Sequence, residues 1–588
     1  MCYNIKKFKG EVKFMRLSIT HTKNNTYFYM IKSYRENGKN KTKIIERLGE
    51  LKEVEQKANG EDPIIWAKKY IEERNQEEKQ NKGVYFEKLV EGIPLDESQK
   101  TFNIGYLFLQ NIYYSLGLDE ICKEISEKYR IKYDLNSILS NLIYTRIIEP
   151  SSKLSSFEAS KKFIEQPNYE LHDIYRSLEV ISRETEFIEA EVYKNSLDVV
   201  NRNTKILYYD CTNYFFEIEQ EEGIKQYGPS KEHRPNPIVE MGLFMDGDGI
   251  PLAFSISEGN KNEQLTLKPL EEKIINDFSL SKFVVCTDAG LSSIENRKFN
   301  NLDNRAFITT QSIKKLKKHL RLWALEPEGW SLENSKDKFN INDIQFSEEM
   351  ILKFKNVTFY KERWIKENGL EQKLIVTFSL KYKHYQEEIR NRQIERAVKI
   401  LNSNPSSLKK HNQNDCKRFI TKTGVTANGE IASKELYSLD ESKIQNEAQY
   451  DGFYAVCTNL EDEAYEITKI NHRRWEIEES FRIMKTEFKS RPVYLSRDDR
   501  IKAHFTTCYL ALVLFRYLEK KIDYKYTSSE IISTLRNMNF YKTNAEGYIP
   551  TYTRTDLTDI LHEKFGFRTD YQIISEKNIK KIFKDTKK

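Results

Sequence analysis

The sequence predicts a multidomain α+β protein. Its core is a mixed five-stranded sheet with helices, interrupted by a large insertion, preceded by a mainly helical N-terminal region and followed by a helical C-terminal tail. Three observations predict this. Residues 205–311 read in the order β-β-β-α-β-α-β, residues 312–450 do not continue that order, and apolar residues recur at helical spacing on both sides. At about 150 residues per domain, a chain of 588 residues is expected to hold three or four domains.

Residues 1–84 read as a small N-terminal β-hairpin unit plus a charged helix. Thr26–Tyr34 and Lys41–Leu48 flank ENGKN, and Asn-Gly between two strand-like runs is a hairpin signal. Glu72–Gly83 has the composition of a solvated helix or linker. Residues 85–200 read as a helical domain: apolar residues recur every three or four positions through IGYLFLQNIYYSLG and NSILSNLIYTRII, and Pro150 ends the second run.

Residues 201–311 carry the first part of the core. Lys205–Ile218 is rich in aromatic and β-branched residues, and Pro237–Asp246 and Ile250–Ile256 flank the turn GDG, as in an antiparallel meander. A helical segment, Asn262–Phe278, leads to the strands KFVVCTDAG (Lys282–Gly290) and RAFITTQ (Arg305–Gln311). That order is the order of a ribonuclease H-like core. Residues 312–450 read as the insertion domain and residues 451–520 as the second part of the core, with a strand at Gly452–Asn459 and one long helix from about Ala464 to Phe488. Residues 521–588 read as a helical basic tail.

Composition excludes several classes. Hydrophobic residues are 39%, charged residues 31% and aromatics 12%, too aromatic for a disordered chain. Lys+Arg exceed Asp+Glu by only 95 to 89, so any basic surface must be local. The seven cysteines are scattered without a CxxC pair, which fits a reducing cytoplasm and argues against a disulfide framework or a structural zinc site. The longest apolar run, Cys508–Phe515, is too short to span a bilayer, and the N-terminus lacks the apolar segment of a signal peptide. DGDG at Asp246–Gly249 reads as a hairpin turn, since Ile250 occupies what would be a calcium-ligand position. Zinc is not expected, because the nine histidines form no HxxxH or Cys pairing.

Three acids stand out. Asp210 lies inside an apolar strand, where a carboxylate must be paired, hydrogen-bonded or metal-bound unless it turns to solvent at the strand end. Asp288 lies at the C-terminal end of a buried-looking strand, where ligands gather in α/β sheets; its plainer role is to cap the next helix. Glu478 shares a stripe with Arg474, Phe481 and Lys485 at i, i+4, i+7 and i+11, a face that is either a salt-bridged surface or the edge of a cleft. Three carboxylates, two on neighbouring strands and one on a later helix, suit two Mg²⁺ ions, with Mn²⁺ able to substitute. Arg474 and Lys485 suit a DNA backbone, the guanidinium as a bidentate fork and the ammonium as a point charge. The acid-free cluster Lys314, Lys315, Lys317, Lys318 and Arg321 is a second phosphate-binding candidate, against the plainer reading of a solvated helix face.

On these motifs the chain resembles the DDE transposases of bacterial insertion sequences. It is most similar to the branch with a long insertion before the catalytic Glu and a Tyr-x2-Arg-x3-Glu-x6-Lys signature. Arg474, Glu478 and Lys485 match three signature positions, while Asn471 stands at the Tyr position. Further similar stretches are Asp210-x-Thr212, CTDAG, RIIEPSSKL (Arg146–Leu154), GPSKEHRPNP, GIPLAFSISEGN and RPVYLSRDDRIKAHF (Arg491–Phe505). The resemblance implies Asp210, Asp288 and Glu478 as catalytic metal ligands. It also implies double-stranded DNA as partner (inverted repeats and target), a homodimer on that DNA, hydrolytic nicking, hairpinned ends, and joining of 3′ ends to target. It assigns DNA-end reading to the N-terminal and helical regions and places the protein in the cytoplasm, at the nucleoid, with no membrane. A nuclease without strand transfer, or an inactive or domesticated DNA-binding relative, are the alternative readings.

Overall fold

The computed structural model describes residues 15–22, 25–36, 39–80, 98–333, 335–345, 347–403, 415–425, 431–543 and 547–588. The chain divides into two compact units, residues 1–97 with 543–545 and residues 98–542 with 546–588.

The smaller unit is a three-stranded antiparallel sheet, Arg16–His21, Thr26–Glu36 and Lys39–Glu50, with helices Leu51–Ala58 and Pro63–Gln80. The expected hairpin is there: Glu36 stands opposite Lys39, and the connecting Asn37-Gly38 lies outside the described residues. A strand the sequence reading did not anticipate, Arg16–His21, joins it because Leu17 and Ile19, two apart, reach the cluster of Phe28, Met30, Leu48, Val54 and Ile71. The charged stretch from Glu72 forms the end of the second helix as far as Gln80, and residues 81–97 lie outside the described residues.

In the larger unit, helices α1 (Leu135–Ile148), α2 (Lys153–Ser160), α3 (Leu171–Arg183) and α4 (Thr185–Val199) precede one sheet. That sheet comprises β1 (Ile206–Phe215), β2 (Ile238–Asp246), β3 (Pro251–Glu258), then, after α5 (Gln264–Asp277), β4 (Val284–Thr287), and, after α6 (Ile294–Phe299), β5 (Ala306–Thr310). It continues with β6 (Thr358–Glu367), β7 (Leu370–Ser379) and, after α7 (Leu380–Ser403), β8 (Phe453–Thr458). The spatial order is β6-β7-β8-β5-β4-β1-β2-β3, with β1–β4 and β4–β5 parallel and the remaining pairs antiparallel. The succession β-β-β-α-β-α-β is therefore present.

The sheet has eight strands, not five. Residues within 312–450 supply β6 and β7, which extend the sheet through β8. The run Leu374-Ile375-Val376 is fully buried, and an apolar run without alternation has to be covered on both faces, as only an inner strand is. The rest of that segment includes a separate two-stranded pair, Ile420–Val425 with Ile431–Leu439.

Two further expectations are corrected. The long helix of residues 464–488 is three pieces: α8 (Ala464–His472), α9 (Trp475–Arg482) and a π-helical turn, Ile483–Glu487. At the first break the Ile470 carbonyl accepts the Tyr208 hydroxyl (2.9 Å), and the Arg473 and Arg474 amides fall back on i−3 carbonyls, Ile470 and Asn471. The C-terminal region carries helices Ser528–Asn537, Asp556–Phe565 and Glu576–Thr586, and with them short strands that the helical reading did not include. After α10 (Asp498–Lys521), buried residues Ile531, Leu535, Phe540, Leu561 and Ile579 join the core that contains α1, α3 and α10. The helices before β1 belong to that same core, since α1 is apolar on every side and needs α10 and its neighbours to cover it. Cys508–Phe515, the longest apolar run, lies at the buried centre of α10, and no helix among the described residues is long and apolar enough to cross a membrane.

One buried ion pair fixes the β2–β3 hairpin to the end of α4. Arg202 Nε donates to Asp246 Oδ2 (2.7 Å), and its Nη2 donates to the Ile250 and Pro251 carbonyls (both 3.0 Å). Asp246→Asn would leave this guanidinium buried without its counter-charge, a loss of about 3–5 kcal/mol. The denaturation midpoint of the variant is expected to fall clearly below that of the wild type; an unchanged midpoint would contradict the role given to the pair.

Candidate active site

Side chains alternate across a strand, so Tyr208, Asp210, Thr212 and Tyr214 share one face of β1. The other face, with Leu207, Tyr209 and Cys211, packs on α5. The segment α8–α9–π turn follows the first face residue by residue. Tyr208 binds the Ile470 carbonyl; Lys485 Nζ donates to Thr212 Oγ1 (2.7 Å) and lies 5.2 Å from the Tyr214 ring centre. Between those contacts lie Asp210 and Arg474.

The parallel pairing of β1 with β4 ends at Tyr208↔Cys286; Asp210 lies two residues on in β1 and Asp288 just past the end of β4, near enough for the Asp288 charge to act on Asp210. Burial pushes the Asp210 carboxyl up to about 6; the Lys231 ammonium opposes that shift and the Asp288 charge adds to it. Asp288 does not cap the following helix, which Ser293 caps; its Oδ1 accepts the amides of Gly290 and Leu291 (2.9 and 3.0 Å) and so is fixed at the strand end. Arg474 joins the group from the tight turn before α9. Its Nη2 stands 3.4 Å from Glu478 Oε1, its Nη1 donates to Thr310 Oγ1 (3.2 Å), and its buried Nε has no partner. Although burial works against its charge, Tyr454, Asp210, Cys286 and Asp288 hold it above the ordinary arginine pKa. Glu478 is 63% exposed.

Arg474 is the link between the acids: its charge acts on Asp210 and its Nη2 stands 3.4 Å from the exposed Glu478, while Lys485 reaches Thr212, two residues from Asp210. The basic cluster makes other contacts: Lys314 lies 5.2 Å from the Tyr450 ring centre, Lys317 3.4 Å from Glu367, and Arg321 donates to the Lys314 carbonyl. Lys315 and Lys318 are exposed.

Sequence reading missed Lys231, Glu232, Thr310 and Tyr454. Lys231 donates to the Cys211 carbonyl and pairs with Glu263 (2.9 Å); Glu232 takes Lys485 (3.4 Å) and Arg491. Both sit on the loop that starts at Gly228, where a Cβ would stand 1.8 Å from the Gly259 carbonyl oxygen, so glycine alone lets that loop close on β2 and β3. The signal available in the sequence was this pair of glycines, in GPSKEHRPNP and GIPLAFSISEGN. Asn471 is buried: its Nδ2 donates to the Tyr454 hydroxyl (2.9 Å), which in turn pairs with Thr310 Oγ1 (2.7 Å). A phenol from β8 therefore stands beside the asparagine.

The oxygen donors of Asp210, Asp288 and Glu478 suit a hard divalent cation, and at present a guanidinium lies among them. They are not drawn into a closed cluster. Among the described residues, Asp559, His562 and Asp570 are the only three such side chains whose ligand atoms all lie within 4.8 Å of one another. Those acids are held by Arg554 and Arg568, each 2.6 Å from a carboxylate oxygen, so a cation there would have to displace both.

A family model described as the transposase DDE domain matches residues 215–514, just over half the chain. A second, described as the IS1634 family transposase N-terminal domain, matches residues 17–84. The first spans Asp288 and Glu478 and begins five residues after Asp210. No curated protein matches. Among solved structures the chain is similar to a piggyBac transposase synaptic complex with hairpin DNA, at 9% identity and a TM-score of 0.36, over 74% of this chain and 78% of that one.

If Arg474 is the counter-charge of the carboxylates, Arg474→Gln will melt below the wild type in EDTA and regain the difference on addition of millimolar Mg²⁺. A variant that melts like the wild type with and without Mg²⁺ would contradict that role.

Proposed function

The chain belongs to the transposase DDE domain family of insertion sequences, and we propose that it performs cut-and-paste transposition on a ribonuclease H-like core, with Asp210, Asp288 and Glu478 as the ligands of two Mg²⁺ ions. What supports this reading is that Asp210, two residues past the β1–β4 pairing, feels the charge of Asp288 at the end of β4, and a divalent cation held by both would relieve that repulsion. Glu478 supplies the third carboxylate from α9.

Divalent cations held by Asp210, Asp288 and Glu478 would activate water or a DNA 3′-hydroxyl as nucleophile and stabilise the leaving oxygen of an in-line displacement at phosphorus. The residues of the chain do the rest. Arg474, whose Nη2 end stands beside the exposed Glu478, offers its guanidinium fork to a non-bridging oxygen of the scissile phosphate. Lys485, already aimed across β1 by Thr212, adds a point charge on the same strand of DNA. Burial, reinforced by Lys231, pulls its ammonium down to about 8, so it is still charged at neutral pH and gains by meeting a phosphate. Lys231 and Glu263 hold the loop that backs Asp210.

In the first step water attacks the phosphorus at the element boundary and a 3′-hydroxyl leaves. In the second, that 3′-hydroxyl attacks the phosphodiester of the opposite strand, whose 3′-oxygen leaves, to close a hairpin. Water reopens the hairpin and restores the 3′-hydroxyl, which then attacks a target phosphodiester and releases a target 3′-hydroxyl. Arg474, Glu478 and Lys485, at three of the four signature positions, support the Tyr-Arg-Glu-Lys branch, and the Tyr454 phenol bonded to Asn471 would serve in place of the signature tyrosine. Two copies of the chain act on paired inverted repeats.

The test uses the element's own inverted repeat as a labelled duplex, incubated with the full chain and Mg²⁺ or Mn²⁺ and resolved on a denaturing gel. Metal-dependent cuts at the repeat boundary are expected, reduced about a hundredfold or more in Glu478→Gln. A hairpin product and joined target strands support the full reaction; cuts without joining leave a nuclease. A wild type that binds the repeat without cutting it would contradict the proposal.

A further inference from the structure

A second group of cations lies apart from the carboxylates. The corner between α1 and α2 faces residues 489–495 across a pocket of about 290 Å³. Arg146, Lys153, Lys489 and Arg491 line it, and no carboxylate does. Arg146 and Lys153 are 3% and 5% exposed. Arg146 donates its Nη atoms to the carbonyls of Phe488, Lys489 and Ser151, and its Nε has no partner; Lys153 Nζ has none at all.

This is not how the chain treats its other buried lysines. Among the described residues Lys225, Lys361 and Lys373 are equally buried, and each donates to a backbone carbonyl, Lys225 to Ser496 (2.6 Å), Lys361 to Glu326 (2.6 Å) and Lys373 to Asp462 (2.9 Å). A buried ammonium without acceptor is costly, because neither water nor protein replaces its hydration. Burial, with the Arg146 charge adding to it, pulls Lys153 down to about 7. His504, on the same wall, gives its Nε2 to the Ser490 carbonyl and makes no bond to Lys153. The pocket is also where α2 begins: Ser152 caps that helix, and its first amides have no acceptor within the helix. Two buried cations, two at the rim and a helix N-terminus define a site for a tetrahedral oxyanion.

The position selects among oxyanions. Arg491 at the pocket rim shares Glu232 with Lys485, and Lys485 reaches Thr212, two residues from Asp210. The exposed Tyr494 stands at the mouth, 71% accessible. We propose that this pocket holds one backbone phosphate of the DNA that crosses the candidate active site; the identification of the ligand as DNA rests on the function proposed above. Lys153 and Arg146 bind that phosphate, and Lys489 and Arg491 close over it.

The test uses the full chain and a labelled duplex carrying the element's end. Affinity is measured against salt concentration for the wild type, Lys153→Met and Lys489→Gln, and melting is measured with and without inorganic phosphate. Each variant is expected to bind about tenfold more weakly, with a salt slope smaller by about one. Lys153→Met is expected to melt no lower than the wild type, since it removes an unpaired buried charge, and phosphate is expected to raise the melting temperature of the wild type only. Lys489 is exposed, so Lys489→Gln keeps the test valid should Lys153→Met fold poorly. Unchanged affinity and slope in both variants overturn the proposal. If phosphate still raises the wild-type melting temperature in that case, the site takes a free phosphate instead. A wild type that binds no duplex overturns the DNA assignment together with the transposase reading, and the phosphate melts then decide by themselves whether the pocket is an oxyanion site.

Discussion

The carboxylates of Asp210 in β1 and Asp288 just past β4 repel each other, and cations from distant parts of the larger unit answer that repulsion. Asp210 and Asp288 come near each other because β1 and β4 pair in parallel up to Tyr208 and Cys286, two residues before each acid. Slipping the register by one residue would turn Asp210 onto the α5 face, among Tyr209, Cys211 and Leu267. The cations that answer the pair come from distant parts of the chain: Lys231 from the loop after β1, Arg474 from the turn before α9. None of these contacts is local, so the site exists only when the sheet is complete.

The helical segment over the sheet shows how a fixed spacing in sequence becomes a different geometry in space. Arg474, Glu478 and Lys485 lie on one stripe of an ideal helix. The chain is overwound at Arg473–Arg474, where amides turn to i−3 carbonyls, and underwound at Ile483–Glu487, where Phe488 bonds back to Ile483. The first change follows from Tyr208 taking the Ile470 carbonyl, and it sets Arg474 beside Thr310. The second brings Lys485 over Thr212 and Tyr214. The segment is thereby fitted to the pleat of β1.

The β-β-β-α-β-α-β order was legible in the sequence because turn chemistry and period-two patterns are local signals: GDG closes the β2–β3 hairpin, and the apolar runs of β4 and β5 stand between helices. The eight-stranded sheet was not legible, because β6 and β7 join it across more than 70 residues, and no local pattern states which edge a hairpin will find. The C-terminal region read as a basic tail because its charges are numerous; its apolar residues at helical spacing, Ile531, Leu535, Leu561 and Ile579, decide its packing. In the site, the acids were legible because a carboxylate in an apolar strand is anomalous by itself. Glu232, Thr310 and Tyr454 carry no such anomaly, since each is an ordinary loop or strand residue until the fold puts it beside Lys485, Arg474 or Asn471.

The central claim is that the Asp210–Asp288 pair is a metal site whose resident cation, Arg474, gives way to divalent ions when DNA is bound. Mn²⁺ binding to the full chain, followed by electron paramagnetic resonance with and without a duplex carrying the element's end, tests it most directly. The account predicts two Mn²⁺ per chain in the presence of DNA and their loss in Asp288→Asn. Equal Mn²⁺ binding by wild type and Asp288→Asn, with the duplex bound by both, would contradict it.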